Sequence, residues 1–480
     1  MEPSGIPREL YRAYRDSGQE HVFDFWDQLS ADARRGLLEQ LEGIDLGLLK
    51  RLASGQGLAV PHAPVEKRSS APVVRLGGEP ECASRAEGAA FGRKLLAEGK
   101  VGVILVAGGQ GSRLGYDGPK GCLAIGPLSG KSLFQLHAEK VAFLGSFSGR
   151  PLPWYIMVSS SNAAATRQFF EAHRFFDLGE ENVFFFVQDM LPAIDESGKL
   201  LLESGGRVFT SPNGHGGVYE AFLKSGGLDD AERRGIEHLF HFQVDNALIR
   251  MADPLFMGLH ALSGAEMSLK VLRKSDPLEK IGVVAAEGGR WKVIEYSDLS
   301  EEEARRTDSG GNLVFWAGSI AIHAFRLPFF RRVAEGPVRL PYHVARKKIQ
   351  CLDAGGKAAQ VQGLKFESFV FDALPLASKA LNLEVRREEE FAPVKNKSGV
   401  DSIESAQGLL VAEHRRWLRE AGACVSGRAE ISPLAAPGPE QLRERLPPEE
   451  RHPYPGDVLV EPGPGGKASI RALSPRDLGP

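Results

Sequence analysis

The sequence has 480 residues, of which 42% are hydrophobic and 25% are charged. This length and composition are typical of a globular protein with one large core and smaller appended domains. The formal net charge of −3 excludes a general electrostatic affinity for nucleic acid or membranes, so any phosphate-binding site has to be a local cluster of charges.

The four cysteines are scattered, and none has the partners or the spacing of a zinc site or a disulfide framework. This distribution favours a reducing compartment. The first residues carry no basic segment followed by an apolar one, and no apolar run is long enough to cross a bilayer. We therefore expect a cytoplasmic protein that binds neither nucleic acid nor membranes.

Residues 1–95 are predicted to form a helical N-terminal region and a linker. Ser30 is a candidate N-cap residue, Asp32 follows it in the first turn, and leucines recur at helical spacing from Leu37 onward. Glycine, proline and serine are frequent at residues 55–70, which predicts a linker there.

Residues 96–395 are predicted to form a central domain, because short apolar runs alternate there with amphipathic segments. The candidate strands are residues 101–107, 154–159, 183–187, 239–244, 267–272, 292–296 and 314–322. The candidate helices between them are residues 132–144, 163–173, 217–224 and 254–262. Strands that are apolar throughout indicate burial on both faces. The pattern predicts the α/β class, with a doubly wound, mostly parallel central sheet.

Residues 396–480 are predicted to form a small C-terminal domain. A helix is expected at residues 402–421, and short apolar runs at 430–434 and 457–460, broken by glycine and proline, indicate a β-rich end. The last residues, 475–480, are expected to be disordered.

The strongest local signal is a glycine-rich loop directly after the first strand of the central domain. Gly108, Gly109 and Gly111 carry no side chains that would block a ligand, so their backbone amides can turn toward an anion. Arg113 and Lys120 add positive charge beside them. The loop therefore predicts a phosphate-binding site, although a tight turn with two solvated charges would give a similar pattern.

Two other phosphate-binding motifs are not matched. A dinucleotide fingerprint needs a third glycine where Leu114 stands. A Walker A loop needs four residues between its glycines, but only three separate Gly126 and Gly130, which precede Lys131 and Ser132. We interpret this second segment as a turn before a helix that begins near Ser132.

The pattern GGxGSRLG followed by PKG resembles the signature of the UDP-sugar pyrophosphorylases, most closely the UDP-N-acetylhexosamine pyrophosphorylase branch of the nucleotidyltransferase family. Further segments resemble that branch in the same order along nearly the whole chain. They are GQEH at 18–21, SPNGHGGVY at 211–219, VDN at 244–246, VIEYS at 293–297, FAPVKN at 391–396 and EISPL at 430–434. The resemblance implies a helical N-terminal region, a Rossmann-like catalytic domain and a smaller C-terminal domain.

The resemblance also implies an activity. It is uridylyl transfer from UTP to a sugar 1-phosphate, most closely N-acetylglucosamine 1-phosphate, giving a UDP-sugar and pyrophosphate. Arg113, Lys120 and Lys395 are expected to be catalytic, with Lys395 at the phosphate that joins sugar and nucleotide. Lys397 is expected to be an ordinary surface lysine. Asp245 is expected to bind Mg²⁺ together with the nucleotide.

The uracil base is expected to contact Gln188 and Gly214, since the amide of Gln188 offers both a donor and an acceptor. His215 is counted with them as nucleotide-binding. Its position usually holds Asn in the closest branch, whereas the UDP-glucose enzymes of the wider family carry His in a similar motif.

The resemblance places Gly282 and Glu295 at the hydroxyl groups of the sugar. Ser319 stands where the family has an Asn that contacts the sugar, and Trp316 is a second departure from that motif. These departures leave open an enzyme for UDP-glucose or for several UDP-sugars. A catalytically silent relative that binds UDP-sugars is a further alternative, and a P-loop kinase is disfavoured by the glycine spacing. Either a monomer or a homodimer is compatible with the sequence.

Overall fold

The computed structural model describes residues 4–59, 67–336, 339–474 and 477. Within them the helices, in chain order, are α1 Arg8–Asp16, α2 Ala31–Glu42, α3 Leu46–Ala53, α4 Arg85–Ala97, α5 Leu133–Gly145, α6 Ala163–Ala172, α7 Val218–Lys224, α8 Gly227–Arg233, α9 Pro254–Leu262, α10 Glu301–Ala304, α11 Leu327–Glu335, α12 Arg387–Glu390, α13 Ile403–Glu420 and α14 Pro439–Arg445. No helix among the described residues has the length and apolar character that crossing a membrane requires.

The strands, again in chain order, are β1 Arg68–Ser70, β2 Val101–Val106, β3 Trp154–Val158, β4 Val183–Val187, β5 Met190–Pro192, β6 Ile194–Asp195, β7 Leu202–Ser204, β8 Arg207–Val208, β9 Thr210–Pro212, β10 His238–Gln243, β11 Met267–Arg273, β12 Val283–Glu287, β13 Arg290–Ile294, β14 Ala317–Arg326, β15 Tyr342–Leu352, β16 Ala358–Ser368, β17 Ala380–Glu384, β18 Cys424–Val425, β19 Ala429–Ile431, β20 Pro453–Tyr454, β21 Val458–Pro462 and β22 Ala468–Ala472. Every strand and helix predicted for the catalytic domain occurs, with ends that differ by a few residues.

The chain folds into two compact units, each assembled from separate segments. Unit 1 comprises residues 1–61, 188–219 and 336–373, and unit 2 comprises residues 62–187, 220–335 and 374–480. The predicted division into three consecutive domains stays a prediction. The C-terminal residues of unit 2 do form a hydrophobic cluster of their own, which includes Trp417, Ile431, Leu442 and Val460.

Unit 1 contains the helical N-terminal region. As predicted, Ser30 caps α2 by accepting a hydrogen bond from the backbone amide of Ala33. Helices α1 to α3 share a hydrophobic core with β6, β7 and β16. The long antiparallel hairpin of β15 and β16, which the sequence analysis did not predict, continues this core through Tyr342 and Phe366. Part of the predicted linker, residues 60–66, lies outside the described residues, whereas Arg68–Ser70 forms β1 in unit 2.

Unit 2 is built on a ten-stranded sheet with the order β1-β12-β14-β10-β2-β3-β4, extended by β11, β13 and β17. Strands β10, β2, β3 and β4 run parallel, and helices alternate with them along the chain, which is the α/β arrangement predicted. Their side chains are buried with those of α5 and α9 in one large core.

The prediction of a mostly parallel sheet is wrong, because the sheet is mixed. Strand β14 runs antiparallel to β10, β11 and β12. Strands β12 and β13 form a hairpin joined by Gly288 and Gly289, both with positive φ, and such a tight turn reverses the chain. Apolar periodicity does not report strand direction, since a central strand is buried on both faces in either orientation.

In the C-terminal part of unit 2, helix α13 occupies the predicted position and is capped by Ser402. Strands β19, β21 and β22 form a small sheet, and β18 pairs with β20. Of the segment predicted to be disordered, all but Asp477 lies outside the described residues.

Candidate active site

The glycine-rich loop begins where β2 ends and is closed by its own backbone. The amide of Gly111 donates to the carbonyl of Gly118 at 2.9 Å, and the amide of Lys120 donates to the carbonyl of Gly109 at 3.1 Å. Arg113, on a single 3₁₀ turn, and Lys120 are therefore carried by one closed loop at the carboxyl end of a parallel strand. This is the edge at which open α/β sheets bind ligands.

The loop has to contain glycine because a tyrosine ring fills it. A Cβ atom on Gly111 would lie 2.8 Å from the ring of Tyr116, and one on Gly118 would lie 2.9 Å from the same ring. Gly118 also has a φ of +149°, which side-chain-bearing residues rarely adopt. The glycines thus let the loop fold tightly around Tyr116.

Asn162, a residue that the sequence analysis missed, supports the loop from the neighbouring strand connection. It is fully buried, and its Nδ2 donates to the carbonyl of Ala107 at 2.9 Å. Its Oδ1 accepts a hydrogen bond from the amide of Ser159, which directly follows β3. The sequence signal was an asparagine just before a helix, which is also the pattern of an ordinary cap.

Lys120 and Asp245 meet at the carboxyl edge of the sheet. Asp245 follows β10, which pairs in parallel with β2, so the ends of these two strands are adjacent. Lys120 Nζ lies 3.3 Å from Asp245 Oδ2, and the side chains are 18% and 11% exposed. Arg113 is exposed on the same loop. The structure thus brings together the two residues predicted to bind phosphate and metal.

Lys395 reaches the same region through the residue after Asp245. The side chain of Asn246 donates to the carbonyl of Glu390 at 2.7 Å and accepts from the amide of Ala392 at 2.9 Å. The amide of Val394 then donates to the carbonyl of Asp245 at 3.0 Å. The backbone of Lys395 therefore follows a residue that is hydrogen-bonded to Asp245, the candidate metal ligand.

A buried polar layer lies behind Asp245. His137 contacts the carbonyl of Val244 through Nε2 at 3.0 Å, and Lys140 Nζ donates to the carbonyls of Ala247 and Ile249 at 3.0 Å each. Burial lowers the pKa of His137 to about 3 and that of Lys140 to about 7. These side chains hold the carbonyls on both sides of Asp245 and so fix the turn that carries it.

The side chains near Asp245 limit which metal ions this part of the structure can hold. Within the described ranges no group of three or more His, Cys, Asp or Glu side chains converges. A closed zinc or calcium cage is therefore a poor fit for that part of the chain. Mg²⁺ is often held by one or two carboxylates together with substrate phosphates and waters, and Asp245 fits that arrangement.

The three predicted sugar-binding residues converge in unit 2. A Cβ atom on Gly282 would lie 2.9 Å from the carboxylate of Glu295, and the amide of Ser319 donates to the carbonyl of Gly282 at 2.8 Å. The hydroxyl of Ser319 is buried without a hydrogen-bond partner in the described structure. A buried hydroxyl without a partner is costly, and a sugar hydroxyl could supply one.

Trp316, the other departure from the family motif, is held by two arginines. The guanidinium of Arg75 lies 4.1 Å from its ring centroid and that of Arg273 lies 5.2 Å away. These cation–π contacts give the buried indole a structural role.

Unit 1 carries the residues predicted for the base. Gln188 is buried directly after β4. Gly214, with φ of +78°, lies against the end of β16, where a Cβ atom would be 2.5 Å from the carbonyl of Ser368. His215 stacks on Phe369, and its Nδ1 accepts from the amide of Val370 at 3.0 Å. Burial lowers the pKa of His215 to about 4, so the ring is neutral, with Nε2 as the donor. The ligand roles of all these residues stay predictions.

A family model and individual relatives both match this chain over most of its length. Residues 83–434 match the family model described as UTP–glucose-1-phosphate uridylyltransferase. The chain is 37% identical to UDP-N-acetylglucosamine diphosphorylase 2 of Arabidopsis thaliana over 92% of both chains. It is 36% identical to UDP-N-acetylglucosamine pyrophosphorylase of Saccharomyces cerevisiae, covering 85% of this chain and 91% of that protein.

A solved structure agrees. The UDP-N-acetylglucosamine pyrophosphorylase of Trypanosoma brucei, in complex with an inhibitor, superposes with a TM-score of 0.77 at 27% identity, covering 92% of this chain and 95% of that one. The match to the family model includes the glycine-rich loop, Asp245 and the three residues predicted to bind the sugar. The chain therefore belongs to the UTP–glucose-1-phosphate uridylyltransferase family, the family of the UDP-sugar pyrophosphorylases.

Proposed function

We propose that this protein transfers the uridylyl group of UTP to N-acetylglucosamine 1-phosphate and releases pyrophosphate. The observation that carries the proposal is the pairing of Lys120 with Asp245 at 3.3 Å, on the closed glycine loop at the carboxyl edge of the sheet. The two relatives described above are named for UDP-N-acetylglucosamine, which supports the choice of sugar.

The reaction is direct attack by an oxygen of the sugar phosphate on the α-phosphorus of UTP. That oxygen is already anionic near neutral pH, so neither a general base nor a covalent nucleophile is required. A new bond forms between that oxygen and the α-phosphorus. The bond between the α-phosphorus and the oxygen that bridges to the β-phosphate breaks, and pyrophosphate leaves with the electron pair. The protein contributes positioning and charge neutralisation.

Each cation has a distinct part in this scheme. Arg113 and Lys120 neutralise the departing pyrophosphate, and Lys395 holds the attacking phosphate. Asp245 orients Lys120 and offers a carboxylate to Mg²⁺. Mg²⁺ held by this carboxylate would supply positive charge that offsets the negative charge of the phosphates. The carboxyl edge of the parallel strands also supports a Rossmann-like arrangement of this unit.

The identity of the sugar rests on Gly282, Glu295 and Ser319. A carboxylate accepts hydrogen bonds from two neighbouring hydroxyl groups, which suits a hexose ring. The hydroxyl of Ser319 is shorter than the amide that the family motif has at this position. A second candidate, an enzyme for glucose 1-phosphate or for several sugars, is favoured by Ser319 and by His215.

The test is a substrate panel. UTP is incubated with Mg²⁺ and N-acetylglucosamine 1-phosphate, N-acetylgalactosamine 1-phosphate or glucose 1-phosphate, and pyrophosphate release is measured. We expect the highest kcat/KM with N-acetylglucosamine 1-phosphate. A higher value with glucose 1-phosphate would favour the second candidate.

Two further results would contradict both candidates. Binding of UDP-sugars in calorimetry without any pyrophosphate release would identify a silent relative. Release of free phosphate from ATP would indicate a kinase or NTPase. A cytoplasmic location and a monomeric or homodimeric state remain part of the proposal.

A further inference from the structure

Lys397 lies against the glycine-rich loop, although it was expected to be an ordinary surface lysine. A Cβ atom on Gly115 would lie 3.7 Å from Lys397 Cε and 3.9 Å from Nζ. Gly115 has a φ of +77° and ends the short 3₁₀ turn that carries Arg113. The end of the exposed Lys397 side chain thus lies close to this turn, at a distance that would be an ordinary van der Waals contact for a Cβ atom on Gly115.

The position of Lys397 is set by the backbone around it. The amides of Lys395 and Asn396 donate to the carbonyl of Asp401 at 2.6 Å and 2.9 Å. The side chain of Asn396 donates to the carbonyl of Val400 at 2.7 Å. The segment is therefore a closed turn, anchored to Asp245 through Val394, and it presents Lys397 toward the glycine loop.

Close ion pairs are few around this turn, although the carboxyl group of Asp401 interacts electrostatically with Lys395. Lys120 is paired with Asp245, but among the described residues Arg113, Lys395 and Lys397 have no carboxylate within 4.0 Å. Two of these cations, Arg113 and Lys397, belong to segments that meet at Gly115. Like charges that are brought together without counterions repel each other, and a bound polyanion would remove that cost.

We propose that Lys397 is a further substrate-binding residue, which contacts the β- and γ-phosphates of UTP and, in the reverse direction, inorganic pyrophosphate. The proposal rests on the proposed function for the identity of the nucleotide. Lys397 lies at Gly115, two residues after Arg113, and this position assigns it to the pyrophosphate end of the nucleotide. Lys395 is left for the sugar phosphate.

The experiment compares Lys397→Ala, Lys397→Arg and a control, Lys467→Ala. Lys467 is exposed in the same unit, in the connection between β21 and β22. We expect Lys397→Ala to raise the KM for UTP and for pyrophosphate by roughly three- to tenfold, the effect of losing one partly solvated charge-assisted hydrogen bond. The KM for the sugar 1-phosphate should stay within about twofold of wild type. Lys397→Arg should recover most of the loss, and Lys467→Ala should change nothing.

A second measurement is independent of turnover. The dissociation constant of inorganic pyrophosphate is determined by calorimetry at several salt concentrations. Lys397→Ala should weaken binding by the same factor and reduce the salt dependence, since one cation fewer takes part. An unchanged pyrophosphate affinity, or an equal rise in the KM of the sugar 1-phosphate, would overturn the proposal. Absence of turnover in wild type would contradict only the proposed function.

Discussion

The carboxylate of Asp245 owes its position to the direction of two neighbouring strands. Because β2 and β10 are parallel and adjacent, the residues that follow them emerge at one edge of the sheet. Lys120 returns to that edge through the closed glycine loop. The apolar run before Asp245 marked it only as a residue at the end of a strand, and the resemblance to the family singled it out. Only the strand pairing places it beside Lys120.

Removing either cation of the loop should slow the chemical step. Arg113→Ala and Lys120→Ala are each expected to lower kcat by on the order of 10²–10³, by analogy with the loss of a donor to a developing oxyanion. Steady-state kinetics in both directions measures the effect. Arg93→Ala, on the exposed face of α4, is the control and should retain full activity. Wild-type kcat in both loop variants would contradict the assignment.

Substitutions of Ser319 distinguish a role in sugar binding from a role in stability. Its buried hydroxyl has no partner in the described structure, so Ser319→Ala should leave the free energy of unfolding unchanged or raise it by about 1 kcal/mol. The same variant should raise the KM for the sugar 1-phosphate, and Ser319→Asn should shift the preference among sugars. Thr166→Val removes another buried hydroxyl without a partner and is the control for both measurements. A fall in stability without any change in KM would make Ser319 structural.

At the scale of elements, α4 and α9 approach so closely that their backbones touch. A Cβ atom on Gly92 would lie 1.8 Å from the carbonyl oxygen of Pro254, and one on Gly258 would lie 1.7 Å from that of Gly88. Both contacts are with backbone oxygens, which cannot move aside as the end of a flexible side chain could. This contact holds α9 against the sheet, directly after the segment that carries Asp245.

Gly92→Ala is therefore expected to destabilise the protein by at least about 3 kcal/mol, because the two helices have to separate. Gly408→Ala is the matched control. Gly408 lies inside α13, and a Cβ atom there meets nothing within 4 Å. That variant should stabilise the protein by roughly 0.5–1 kcal/mol, since glycine is a poor helix former. Urea unfolding monitored by circular dichroism measures both, and equal effects of the two substitutions would refute the argument.

The segment from Gly126 to Ser132 resembles a phosphate-binding loop, but in the fold it binds a carboxylate of the same chain. The amides of Leu128 and Ser129 donate to Glu430 Oε2 at 2.7 Å and 2.8 Å. Ser132 caps α5, as the sequence analysis expected. The turn thus joins the C-terminal cluster to the sheet by a charge-assisted contact.

Glu430→Ala should cost about 2 kcal/mol of unfolding free energy, because two half-buried amides lose their charged acceptor. Glu430→Gln should cost less, since the amide oxygen can still accept. The comparison is Glu461→Ala, which breaks an exposed ion pair with Arg471 and should cost less than about 1 kcal/mol. Urea denaturation of the three variants measures the difference, and a Glu430→Ala value no larger than the control would contradict this account.

At the scale of the whole molecule, buried histidines make stability sensitive to acid. Burial lowers the pKa of His137 and His414 to about 3 and of His215 and His238 to about 4. In the unfolded chain a histidine titrates near 6.5. Below that pH the unfolded chain binds protons that the folded protein does not accept, so stability is lost as the pH falls from about 6.5 toward 4.

Each of these histidines should cost about 2 kcal/mol of unfolding free energy between pH 7 and pH 5. His238→Gln removes one of them and should reduce the loss over this interval by about that amount. Urea unfolding of wild type and variant at the two pH values measures it. An identical pH dependence in both proteins would show that His238 is not a source of the acid sensitivity.

The sequence by itself determined the α/β class, the positions of most helices and of most strands in the ten-stranded sheet, the glycine loop with its two cations and the polar residue after β10. These features depend on local periodicity, on glycine chemistry and on motifs read along short segments. The resemblance to the UDP-sugar pyrophosphorylases also came from such segments, and the comparisons bear it out.

Tertiary structure alone decided the rest. The antiparallel direction of β14, the backbone contact of α4 with α9, the support of the loop by Asn162 and the contact of Lys397 with Gly115 all join residues from distant parts of the chain. Apolar burial gives the same pattern for parallel and antiparallel strands, and a glycine or an exposed lysine carries no local sign of its partner. These features follow from which segments the folded core brings together, because the energy of close packing depends on pairs of surfaces and not on one segment alone.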